Sequence, residues 1–262
     1  MIPRLQLFEF EDLPWFPQCW RNLLTEALRF GIQREQLYHA VVPLIIQRLR
    51  YTTCHEIIDL GSGAAGPWFL LYDLFTQAGW PITVTLTDKY PNLQALADVA
   101  TESAGYIRFC PDSVDACCVP SSLPGMRTMF TAFHHFPPEQ ARLILQDAVD
   151  QKVAIGIFEM TQRRFIPLLV TPILVIATAL LNTPKIKPVT FERLFWTYLV
   201  PILPLVNAWD GIVSNLRTYT PHELFRLIHT IDYHTYDWEV GQLPITGLPT
   251  SITYLLGYPK AE

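Results

Sequence analysis

Residues 59–66 read Asp-Leu-Gly-Ser-Gly-Ala-Ala-Gly and stand between a stretch that reads as a strand and one that reads as a helix. Glycine at Gly61 and Gly63 lets the chain turn sharply and lets a ligand reach main-chain N–H groups that a β-carbon would shield. Asp59 brings a carboxylate to the start of that turn, and Ser62 a hydroxyl inside it. Further on, Asp88-Lys89 closes a second strand, Asp112-Ser113 follows a third, and Thr131 with His134-His135 follows a fourth. Carboxylates at strand ends can accept hydrogen bonds from sugar hydroxyls or amino groups, and a histidine there can move a proton at neutral pH.

The glycine loop satisfies GxGxxG, a pattern that also marks dinucleotide sites. The acid two residues before the first glycine separates two cofactors by charge. A pyrophosphate would be repelled by a carboxylate at that point, whereas the α-amino group of S-adenosylmethionine (SAM) would be attracted. Asp59 therefore favours SAM, and an NAD(P)-dependent oxidoreductase is the rival reading. From about residue 54 to 160 the chain resembles the class I SAM-dependent methyltransferases of the small-molecule type, whose first motif is an acid followed by a GxGxG-like loop. The third glycine of that loop is Ala65 here, with Gly66 beside it. The resemblance implies SAM contacts at Asp59, Gly61, Ser62, Gly63, Asp88, Lys89, Asp112, Ser113 and Thr131. It places Asp88 on the ribose, Asp112 on the adenine amino group, and His134 or His135 where a general base would stand. It implies no metal.

Positioning these residues requires a sheet. Apolar runs at 56–60, 82–87, 106–110, 128–132 and 153–159 alternate with helical patterns at 68–78, 92–103 and 138–150, which predicts a parallel, doubly wound, Rossmann-like α/β sheet. Two amphipathic helices, 17–30 and 33–50, precede it as an N-terminal helical extension over 1–52. A helix over 220–230 has Thr220 as N-cap, Pro221 at its first position and Glu223 at the capping-box position. Strands at 234–240 and 251–257, joined without a helix, must pair antiparallel. The SAM-binding domain is thus expected over 53–262, with an apolar helical insertion at about 161–216.

That insertion absorbs the surplus of a composition that is 50% hydrophobic and 16% charged. Residues 165–184 carry no charge and are flanked by Arg163, Arg164, Lys185 and Lys187, which meets the length of a membrane span. A single span would leave the later residues across the bilayer from the sheet they complete, so a helical hairpin that returns is expected. It could be a lid over an apolar substrate, a dimer contact, or a peripheral membrane foot over 165–206. A net charge of −5 and scattered lysines argue against a nucleic-acid partner. Five cysteines without a CxxC pair fit a reducing cytoplasm, and the acidic opening reads as no export signal. The expected function is methyl transfer to a small apolar or lipid-like acceptor, with a non-catalytic membrane-associated module on the same fold as a further alternative.

Overall fold

The computed structural model describes residues 2–231, 234–245, 247 and 250–260. Seven strands form one sheet: β1 (Glu56–Leu60), β2 (Thr83–Thr87), β3 (Ile107–Phe109), β4 (Met126–Phe130), β5 (Ile155–Glu159), β6 (Tyr236–Pro244) and β7 (Ser251–Pro259). Their order is β3-β2-β1-β4-β5-β7-β6, with β1 to β5 parallel and β7 antiparallel to both its neighbours. The reversal between β3 and β4 leaves a crevice beside β1, where ligands bind in open α/β sheets.

Alternation along the strands builds the two cores. Ile57, Phe130, Phe158 and Leu256 face one side, with α2 (Val42–Tyr51), α3 (Trp68–Gln77) and α4 (Leu93–Glu102) packed on them. Ile58, Met129, Ile157 and Leu255 face the other, against α5 (Pro138–Asp150) and α9 (Pro221–Ile228). A side-chain period of two thus produces three layers. The predicted capping box closes α9, with Thr220 and Glu223 bonded reciprocally.

Three expectations shift. The first helix, α1 (Gln18–Arg34), runs past residue 30, and the expected helix from 33 starts only at Val42, after a 3₁₀ turn at His39–Val41. β4 begins two residues earlier than read, because Met126 and Arg127 pair with β1 and β5 while Thr131 leaves the ladder with φ +48°. The segment over 1–52 is read as preceding a domain, but its described residues are built into it: Tyr38, Val41, Ile45 and Leu49 lie in the same core as β1.

The insertion forms a helical hairpin. α6 (Phe165–Asn182) is followed by a short helix, α7 (Phe191–Leu194), extended by a wider turn over Phe195–Leu199, and then by α8 (Ile202–Arg217). Among the described residues, Phe165–Lys185 is the one helical stretch long and apolar enough to cross a membrane. It packs along α8, where a β-carbon on Gly211 would stand 3.0 Å from Thr171 Cγ2 and where Asn215 Nδ2 donates to Thr171 Oγ1 at 3.1 Å. α8 in turn seats Leu203 and Val206 against Phe16 and Leu24 of the N-terminal region.

Candidate active site

A cavity of about 370 Å³ opens at the carboxyl ends of β1, β2 and β4. Its floor is the glycine loop. Gly61 (φ +67°) and Gly63 (φ +53°) take left-handed backbone, and a β-carbon would meet Ala132 Cβ at 3.2 Å or Thr25 Cγ2 at 3.3 Å. Both positions therefore favour glycine, by backbone conformation and because a β-carbon would crowd its neighbour by a few tenths of an ångström. Ala65 (φ +81°), fully buried, adopts the same left-handed region without being glycine. α1 closes the loop from above, Arg29 Nη1 donating to the Ala64 carbonyl at 3.3 Å.

Gly61, Ser62, Gly63, Asp88, Lys89 and Thr131 line the cavity, six of the nine residues read as cofactor contacts. Asp88 Oδ2 accepts the Gly63 N–H at 2.7 Å and Oδ1 the Tyr90 N–H at 2.8 Å, so the acid braces the loop and keeps lone pairs for a ligand. Thr131, a β-branched residue with positive φ, bonds through its hydroxyl to Tyr38 and through its N–H to the Phe158 carbonyl. Such a conformation costs about 1–3 kcal/mol and persists where surrounding bonds hold it.

The other three expected contacts stand outside the cavity lining. Asp59 is buried behind the loop, its carboxylate taken by the hydroxyls of Ser62 and Thr128, both at 2.7 Å. Burial pushes its pKa up to about 6 against those hydrogen bonds. It holds the turn and does not line the cavity. Asp112 is exposed outside the cavity, and Ser113 turns its hydroxyl to the Lys89 carbonyl at 2.8 Å. Val114, Asp115 and Ala116 form that wall, with Asp115 Oδ2 3.2 Å from Lys89 Nζ. The chain after β3 bends at Asp112, and the wall begins at Val114, two residues beyond it.

The two histidines divide. His134 is buried, and its Nδ1 lies 2.8 Å from Glu159 Oε2, whose other oxygen accepts the N–H groups of Phe133 and His134. It does not line the cavity, which removes it as a base acting there. His135 lines the cavity with its Nδ1 2.7 Å from Asp12 Oδ1 and 3.5 Å from Glu9 Oε2. Burial opposes its charge, but the Glu9 and Asp12 carboxylates outweigh it and push its pKa up to about 10. At neutral pH it carries its proton and acts as a donor, not a base.

These acids come from a segment that no sequence motif places here. Residues 4–16 form a strap across the cavity mouth: Arg4 donates to the carbonyls of Phe136 and Arg217, Gln6 to that of His135, and Arg217 pairs with Glu9 (3.2 Å) and Asp12 (2.5 Å). Asp210 of α8 accepts the Phe10 N–H at 2.9 Å. Glu9, His134 and His135 bring ligand-type atoms within 4.8 Å of one another, where the Arg217 guanidinium already supplies positive charge. Glu11 lines the cavity with Oε1 buried and unbonded, and burial, reinforced by Asp210, pushes its pKa up to about 8. No spacing between residue 11 and the motifs at 59–66 signals this; the acidic run Glu9–Asp12 beside aromatics is the only trace in the sequence.

No protein-family model and no curated protein matches the sequence. Solved structures are similar to it. Human N-acetylserotonin methyltransferase in complex with SAM superposes with a TM-score of 0.52 at 11% identity, over 90% of this chain and 56% of that one. The apo form of the SAM-dependent methyltransferase SibL gives 0.49 at 14% identity, over 85% and 56%. The methyltransferase domain of bacterial CtHen1 gives 0.49 at 12%, over 88% and 99%. The chain thus spans a little over half the length of the first two. With the strand order and the loop at the end of β1, the fold is that of the class I SAM-dependent methyltransferases.

Proposed function

We propose that this chain transfers a methyl group from SAM to a small apolar or lipid-like acceptor. The observation that carries this reading is the convergence on one cavity of the left-handed Gly61 and Gly63, Asp88 at the tip of β2, and an apolar wall including Leu28, Ile32, Phe130 and Phe136. A cavity of this size and mixed lining suits a small organic ligand. SAM, when bound, supplies a methyl group made electrophilic by its sulfonium centre. The loop offers main-chain N–H groups at close range, the remaining lone pairs of Asp88 suit two ribose hydroxyls, and Asp115, in place of Asp112, suits the adenine amino group.

Transfer to an aligned nucleophile needs positioning above all. The apolar wall and the strap exclude water, and the cationic His135 donates to the acceptor. An oxygen or nitrogen acceptor also loses a proton as it gains the methyl group. Glu11, a carboxylate that lines the cavity and whose pKa burial raises to about 8, is the group we assign to take it. Calorimetry with SAM and with NADH tests the cofactor reading, followed by transfer of a labelled methyl group into a metabolite extract. SAM binding with labelled apolar product is expected; NADH binding without SAM binding sinks the proposal in favour of an oxidoreductase.

A further inference from the structure

Not one side chain of α6 is buried. Phe165, Ile166, Leu169, Ile173, Leu174 and Leu181 are each more than half exposed and recur along one face of the helix. Phe191, Leu199 and Leu205 extend the apolar surface across the bend into α8, and Trp209 and Tyr198 stand partly exposed beside it. Water-soluble surfaces rarely carry an uncharged apolar stripe of this length, about 27 Å at 1.5 Å per residue. Burying it is a large driving force.

Charge indicates what covers it. In a chain of net charge −5, the exposed ionisable residues at the two ends of α6 are basic, Arg164 at its start and Lys185 and Lys187 at its end, against one exposed acid, Glu192, beside Phe191. Arg163, expected among them, is instead buried and paired with Glu223 at 2.6 Å. A second copy laid on this face in either direction would set basic end against basic end. Anionic headgroups on both sides of a helix lying in the interface would neutralise them, with the long side chains reaching up from the apolar layer. A crossing is opposed by the inner face of the hairpin: α6 is fastened along α8, whose buried Asp210, Asn215 and Arg217 are bonded to the body of the protein.

We infer that α6, with the bend into α8, is a monotopic foot that seats the protein on an anionic bilayer surface without crossing it. The hairpin's inner face holds the strap and α1, and these, not the hairpin itself, line the cavity. The inference stands apart from methyl transfer and can survive its failure.

The test uses the full chain with phosphatidylcholine vesicles, with and without phosphatidylglycerol. Cosedimentation with the anionic vesicles is expected, lost in Leu169→Glu/Ile173→Glu and weakened about fivefold for each of Arg164, Lys185 and Lys187 changed to Gln. Hydrogen exchange on the unmodified protein, where no variant has to fold, should show protection of residues 165–182 on adding vesicles. Absence of sedimentation with either vesicle, or unchanged sedimentation of the double Glu variant, overturns the inference. So does a lipid-free dimer that the Glu variant splits, which would assign the face to self-association. SAM calorimetry on the same samples separates this outcome from the fate of the proposed function.

Discussion

The glycine loop and the N-terminal strap wall the same cavity, yet they are specified in opposite ways. The loop is local: a strand end, a turn that only left-handed backbone can make, and a helix start, all within residues 56–68. The strap has no secondary structure beyond one short turn, and partners 123 to 213 residues away hold it, among them His135, Asp210 and Arg217. Chemistry set by backbone conformation is thus carried by adjacent residues. Chemistry set by buried charge is assembled across the whole chain.

The sharpest way to break this comparison is to remove the strap carboxylate proposed as the proton acceptor. Glu11→Gln should lower the maximal rate of methyl transfer by about 10²–10⁴-fold while SAM affinity stays nearly constant, as single-turnover assays and calorimetry would show. A loss of SAM binding instead would make the strap part of the cofactor floor. Arg217→Met should come next. It leaves Glu9 and Asp12 without their guanidinium, and breaking a buried pair costs about 3–5 kcal/mol, readable in urea denaturation.

On the loop side, Asp88→Ala should weaken SAM binding by about 1–3 kcal/mol, since the bracing of Gly63 and the ribose acceptor go together. Asp115→Ala should weaken it measurably and Asp112→Ala by less than about 0.5 kcal/mol, the usual scale of a surface change. Equal effects of the two would return the wall to residue 112.

pH separates the regions more gently. Glu11 has a raised pKa, so its conjugate base accumulates, and the rate climbs, as pH rises through about 8. His135 is also raised, from 6.5 to about 10; the stability it contributes is fully present below 6.5 and is lost as pH rises through about 10. A rate profile that rises through about 8 and falls toward about 10 is expected, with hydrogen exchange in residues 4–16 quickening along the falling limb. A profile flat across that range would detach both groups from turnover.

Legibility followed the same division. The parallel sheet, the antiparallel pair, the capping box at Thr220 and the glycine loop all rest on short periodicities and fixed offsets, and the structure has them. Asp59 was legible as a residue of the loop but not in its direction: a strand side chain has two faces, and Thr128 on the neighbouring strand captured it. Asp112 falls outside the cavity lining, since an irregular segment has no period to count along. Glu11 and the strap were out of reach, since nothing in the first sixteen residues encodes a meeting with residue 210 or 217.

Ala65 bears on how the loop meets a ligand. An alanine in left-handed backbone costs about 1–2 kcal/mol against glycine, and here full burial holds it in place. In exchange, the loop has fewer conformations to wander among before anything binds. Entropy is therefore surrendered during folding and not at the moment of capture, and a ligand finds a rigid receptor. The substitution Ala65→Gly would then relax the fold while making each binding event entropically dearer, a signature visible in the temperature dependence of affinity.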